Sequence, residues 1–197
     1  MSNKKKAHYT PVQAVQTPES PWRKRLIWIA GVAAVGGLVA VVFLSQPELR
    51  GVPDGTESVA IGDAQHVDGE LHDDGEVPAG GAHNEIWQNC GFYDQEIDSE
   101  TAVHSLEHGA VWISYDPSLS HDGVAALRSF VSRSEKVLVS PVPGQGATII
   151  VTAWGTQLEL DDPADTRLGQ FVNEFSGASS APEPGGRCTG GVGEPQF

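Results

Sequence analysis

Residues 99–117 read SETAVHSLEHGAVWISYDP, a short helix that runs straight into a strand. Ser99 stands where an N-cap hydroxyl accepts a hydrogen bond from a free first-turn N–H. The helix runs to His108, and Gly109 supplies the left-handed residue on which helices commonly end. Ala110–Tyr115 (AVWISY) is dense in branched and aromatic strand formers, and Asp116-Pro117 stops it. This joint places the chain among folds that mix helix and sheet.

Further along, Ser120–Arg133 puts Val124, Leu127, Phe130 and Val131 on one helical face. Lys136–Ser140 (KVLVS) reads as a strand and Pro141–Gly146 (PVPGQG) as a turn. Thr148–Trp154 (TIIVTAW) is a second strand, with Gln157–Leu160 able to pair with it. Asp162-Pro163 opens a last helix through Phe175, turning Leu168, Phe171, Val172 and Phe175 inward. From Ser176 on the chain is loop. The order predicts an α+β domain over residues 83–197, a short sheet covered by helices on one face.

Towards the N-terminus the composition changes twice. Residues 46–82 are an acidic tether and extended arm, rich in Gly, Asp and Glu. Before them, Leu26–Leu44 (LIWIAGVAAVGGLVAVVFL) carries no charged side chain. At about 1.5 Å per residue such a helix matches a hydrocarbon core of roughly 30 Å. We therefore expect a single transmembrane helix over 26–45, with Trp22 and Trp28 as interfacial aromatics. It lies too far from the chain start, and ends without a small-residue cleavage pattern, to read as a signal peptide. Residues 1–25 carry Lys4, Lys5, Lys6, Arg23, Lys24 and Arg25 against Glu19 alone, so the positive-inside rule keeps this tail cytoplasmic and exports the rest. The chain's net charge of −14 is thus carried, and exceeded, by the exported part. Phosphates would be repelled by it, so nucleic acid is not an expected partner. Membrane lipid is one, through the helix.

Cys90 and Cys188 are the chain's two cysteines. Outside the cytoplasm a disulfide would persist, and closing a loop of about a hundred residues stabilises by about 4–5 kcal/mol in the chain-entropy model. Both stand in turn-like sequence, which suits a staple better than the rival reading of a Cys-His metal site.

Of seven histidines, His104 and His108 are four apart and share one helical face. Neutral imidazoles so placed can hold one ion, and copper or zinc suits them. His83, after Gly80-Gly81-Ala82, is the first candidate for a third ligand and His66 a second, while Glu107 would orient an imidazole from outside the metal's own ligands. Such pairs also serve structurally, bonded to backbone groups. His104-Ser105-Leu106-Glu107-His108 matches the H-x-x-E-H metalloprotease pattern, with Glu107 as general base, but the helix is short and the domain leaves little room for a substrate cleft. The chain carries no C-x-x-C. Gly185-Gly186 and Gly190-Gly191 lack the strand–helix context of a phosphate loop. Trp87, Phe92, Tyr93, Trp112, Tyr115 and Trp154 read as core or rim.

Three segments together resemble a family: His83-x-x-x-Trp87-x-x-Cys90-Gly91-x-Tyr93, then Val103–Val111 through Tyr115-Asp116-Pro117, and Val139-Ser140-Pro141 with Thr152-Ala153-Trp154-Gly155. They are similar to the actinobacterial, membrane-anchored domain-of-unknown-function family 3105. Val-His-x-Leu-Glu-His-Gly is the specific part. Family members usually carry Pro-Pro-x-Ser-Gly-x-His where this chain has Val77-Pro78-Ala79-Gly80-Gly81-Ala82-His83, keeping the histidine without one proline and the serine. The resemblance implies an anchored extracytoplasmic domain with His66, His83, His104 and His108 at family-matching positions. It implies no activity.

The expected function is a membrane-anchored extracytoplasmic accessory domain that holds copper or zinc through His83, His104, His108 and His66. The alternative is an interaction subunit docking, without metal, on a larger membrane complex such as a respiratory oxidase. Gly31–Gly37 would offer small residues for helix packing in that case.

Overall fold

The computed structural model describes residues 21–44 and 51–196. The chain divides into two compact units, Met1–Gln46 and Pro47–Phe197. The first holds helix α1, Pro21–Leu44, whose opening proline lacks only an N–H that the first turn would leave unbonded. Described side chains run unbroken from Trp28 to Gly37. Those of residues 38–44, and residue 45 altogether, fall outside the described set, so the expected span 26–45 is only partly covered by it. Among the described residues no helix is long and apolar enough to cross a membrane.

The second unit is a mixed α+β fold. Its strands are β1 Glu57–Ser58, β2 Gly91–Phe92, β3 Val111–Tyr115, β4 Val137–Pro141, β5 Ile149–Ala153 and β6 Thr156–Leu160. Its helices are α2 Ser99–Glu107, α3 His121–Arg128 and α4 Thr166–Phe175. The six strands form one sheet in the order β1-β6-β5-β3-β4-β2. β3 pairs in parallel with β4, Ile113 opposite Val139, because α3 carries the chain back between them. On its other side β3 meets β5 antiparallel, Ile113 opposite Val151. β5 and β6 form a hairpin across Trp154-Gly155, with Gly155 at φ +69 supplying the left-handed turn residue.

β3 is buried at every position. Val111, Ile113 and Tyr115 pack with Leu127 of α3 and with Leu168, Phe171 and Val172 of α4. Trp112 packs on the opposite face with Ala102 and Leu106 of α2, beside Leu138 and the two cysteines. Helices therefore cover both faces of the sheet, where the sequence led us to expect one. The alternation along β3 explains this, since a strand apolar at both parities needs cover on both sides. Full burial of Trp112 and Phe171 contributes about 1.5–3 kcal/mol for each such side chain. The Trp112 indole N–H donates to Ser140 Oγ at 2.9 Å, so its polar end is not left unpaired.

Local signals shift in three places. The N-cap of α2 is Asp98 rather than Ser99, its carboxylate accepting from Thr101 N at 2.8 Å. Helix α3 is capped by Ser120 and stops at Arg128 instead of Arg133. Helix α4 begins at Thr166, capped by Asp165, three residues after the Asp162-Pro163 start that the sequence suggests.

Two irregular segments enclose α2. The arm of residues 51–82 adds β1 to the hairpin, then donates Val59 N to Gly155 O at 2.9 Å. It forms an isolated parallel bridge between His66 and His83. It is tied to α2 where Glu100 Oε1 accepts from Leu71 N at 2.6 Å and His72 N at 3.2 Å. The C-terminal segment returns beside β2. Cys90 N donates to Cys188 O at 2.8 Å, Val192 N to Trp87 O at 2.9 Å and Gln196 N to Phe92 O at 2.8 Å. The Cys90–Cys188 disulfide, with Cα atoms 5.2 Å apart, fixes it there. Between sheet, arm and tail, every residue from Glu100 to Tyr115 is buried.

Candidate metal centre

Helix geometry aims His104, Glu107 and His108 from α2 towards one side, because residues three and four apart lie on one face. The His66–His83 bridge brings in two more imidazoles, paired residues of a parallel bridge projecting to the same side. One donor atom from each of His66, His83, His104 and Glu107 lies within 4.8 Å of every other. His83 Nε2 is 3.1 Å from Glu107 Oε2, and His66 Nε2 is 3.7 Å from the same oxygen. The His66 ring stacks on that of His104 with centroids 4.9 Å apart. Metal–ligand bonds of about 2.0–2.1 Å at tetrahedral angles place donor atoms about 3.3 Å from one another. The group is thus within about 1.5 Å of a coordination sphere.

Three of these imidazoles are held by backbone carbonyls. His83 Nδ1 meets Gly81 O at 2.7 Å, His104 Nδ1 meets Asn84 O at 2.8 Å, and His108 Nδ1 meets Arg187 O at 2.6 Å. A carbonyl only accepts, so each Nδ1 must carry the hydrogen, and in the neutral ring each Nε2 then presents a lone pair. Those lone pairs face acceptors. His104 Nε2 is 3.1 Å from His108 Nε2, and His83 Nε2 faces the Glu107 carboxylate. Two lone pairs at that distance repel unless a positive charge lies with them, either a proton on one partner or a cation among them all.

Burial disfavours a proton at His104. Its pKa is lowered, first by burial and then by the neighbouring His108, His83 and His66, while the Asn84 carbonyl opposes the shift. His83 is fully buried, and His104, Glu107 and His108 are nearly so. Ligating histidines characteristically donate the remaining ring N–H to a backbone carbonyl or carboxylate, which fixes tautomer and orientation. His83 and His104 follow that pattern, and His108 beside them is held in the same way.

Sequence reasoning placed Glu107 outside the ligands; its carboxylate is one of the mutually close donors. His108 is not in that set and touches it through His104, with Glu183 Oε2 3.6 Å away on its other side. The cysteines take no part, being joined to one another. Trp87 lies against His104 and His108, centroids 5.8 and 5.3 Å away, and Trp154 meets His83 edge-on at 5.9 Å. Phe92, Tyr93, Trp112 and Tyr115 are core. One glycine of each pair has a role that sequence did not disclose. A Cβ at Gly186 would run into the His108 ring, and one at Gly191 into the Trp87 carbonyl and indole. Lys136 Nζ, its pKa lowered by burial, donates to His108 O at 3.1 Å and to Gly186 O, joining the same cover to the end of α2. A groove of about 920 Å³ opens elsewhere, between α3 and the C-terminal segment, and no member of the histidine cluster lines it.

Fold and site together define a small mixed-sheet domain with a buried histidine–carboxylate cluster. Residues 66–190, well over half of the chain, match the family described as Protein of unknown function (DUF3105), and the chain belongs to that family. No curated protein and no solved structure matches it.

Proposed function

We propose that this protein is a membrane-anchored, extracytoplasmic accessory domain that holds one transition-metal ion, copper or zinc, through His66, His83, His104 and Glu107, with His108 adjoining His104. The observation that carries the reading is the tautomer constraint. Three ring N–H groups are committed to backbone carbonyls, and the opposite nitrogens converge on one another and on a carboxylate. Three imidazoles and a carboxylate suit Zn(II) or Cu(II). Softer Cu(I) would call on thiolate or thioether ligands, and both cysteines are occupied with each other. Anchoring is supported by the uncharged stretch 26–44 behind its basic flank, and export by the disulfide. An accessory role fits an ion held mostly by buried ligands. Docking on a larger membrane complex is compatible with this reading.

The test is metal content. Full-length protein extracted in mild detergent, without a histidine tag, is loaded with copper or zinc, desalted and assayed by plasma mass spectrometry. Near one ion per chain is expected, falling below about a tenth in the His104→Ala/His108→Ala variant. Equal metal in both proteins, or none in either, would leave the histidines a structural network.

A further inference from the structure

The donors of this cluster are not held alike. His83 and His104 are buried, and each is fixed through Nδ1 by a backbone carbonyl. Glu107 is 7% exposed at its side chain. His66 stands apart. Its side chain is 50% exposed, it comes from the arm rather than from α2 or the segment before β2, and among the described residues no carbonyl fixes its ring. Only its neighbours are tied, through Val67 N to His83 O at 2.8 Å and His83 N to Gln65 O at 2.9 Å. These bonds place the His66 backbone and leave its side-chain torsions to contacts with the His104 and His83 rings and the Glu107 carboxylate.

Resting on the metal reading above, we propose that His66 is the exchangeable ligand of the centre. Its face is where a free imidazole, in the cell a histidine side chain of an acceptor protein, replaces it on the ion. Exchange at this position breaks one metal–nitrogen bond and makes another, with no change in oxidation state and no net proton transfer between neutral imidazoles. The other ligands cannot yield first. Leaving the metal would bury an unpaired lone pair at His83 or His104, or an uncompensated carboxylate at Glu107, whereas His66 would turn into water.

Full-length protein in detergent tests this with Cu(II) as the ion and imidazole as the incoming donor. Copper affinity comes from competition with a chelator, and the ligand set from the nitrogen splittings in the electron paramagnetic resonance spectrum. In His66→Gly the metal-free melting temperature should stay that of wild type, because the side chain is half in solvent. Copper affinity should fall at least about tenfold and transfer to the chelator should speed up. Millimolar imidazole should restore both the affinity and the lost nitrogen splitting. Wild-type affinity and spectrum in the variant would show that His66 is no ligand and overturn the proposal while the metal reading stands. Weakened binding that imidazole does not restore would show a closed position and overturn it as well. A wild-type chain that takes up no copper fails one step earlier, at the metal reading itself.

Discussion

At the scale of single residues, the site depends on where hydrogens sit. Glu107 supplies the negative charge of a cluster otherwise made of imidazoles, so Glu107→Gln keeps shape and loses charge. Metal affinity should fall about 10–100-fold with the circular dichroism spectrum unchanged, as titration with Zn(II) against a fluorescent chelator would show. His104 adds a pH dependence. Its folded pKa lies below the ordinary value of about 6.5, chiefly through burial. The unfolded chain therefore takes the proton first, and stability falls as pH drops through that value towards the folded one. Urea denaturation of metal-free protein between pH 8 and 5 should show this slope, and His104→Gln should flatten it. Of the cluster, the pair His104 and His108 was legible, because helical spacing is written in sequence. The place of Glu107 was not, since which carboxylate oxygen reaches which ring depends on where the arm and the C-terminal segment lie.

Among elements, the helix–strand joint at Gly109 and the β5–β6 hairpin could be read directly, for both depend on local propensity and turn residues. The cap of α2 could not be placed to the residue. Asp98 and Ser99 are both favoured caps, and tertiary packing chose between them. Cover on both sheet faces was present in the alternation Val111, Ile113, Tyr115 against Trp112, but reading β3 for its density of strand formers passed over it. The arm was the hardest element. Its order comes from single contacts with distant partners, above all the Glu100 carboxylate. Burial would raise the pKa of that group, yet its bonds from the Leu71 and His72 backbone and the nearby His72 hold it lowered. Glu100→Ala leaves those two N–H groups without their acceptor and should cost about 1–3 kcal/mol. Hydrogen exchange should show protection at Leu71 and His72 lost first, with that of β3 nearly unchanged.

Taken whole, the unit Pro47–Phe197 closes on itself through its tail. Cys188 lies 98 residues from Cys90, and the segment it pins supplies the Arg187 carbonyl to His108 and fits Gly186 against that ring. Cys188→Ser should lower stability by about 4 kcal/mol on loop length alone, a melting-temperature drop of roughly 10 °C for a domain of this size. Calorimetry of the variant beside the wild type checks it. The broad class, a mixed α+β domain, was legible from the order of its elements. The conversion of a glycine-rich tail into a fitted cover was not, because glycines that permit close approach look the same in sequence as glycines in a free loop. From Glu100 to Tyr115 every residue is buried, so neither the helical nor the strand period leaves a neutral position there. As lineages of this domain diverge, that run should be the last to drift. Relatives too distant to align elsewhere should still be joined through it.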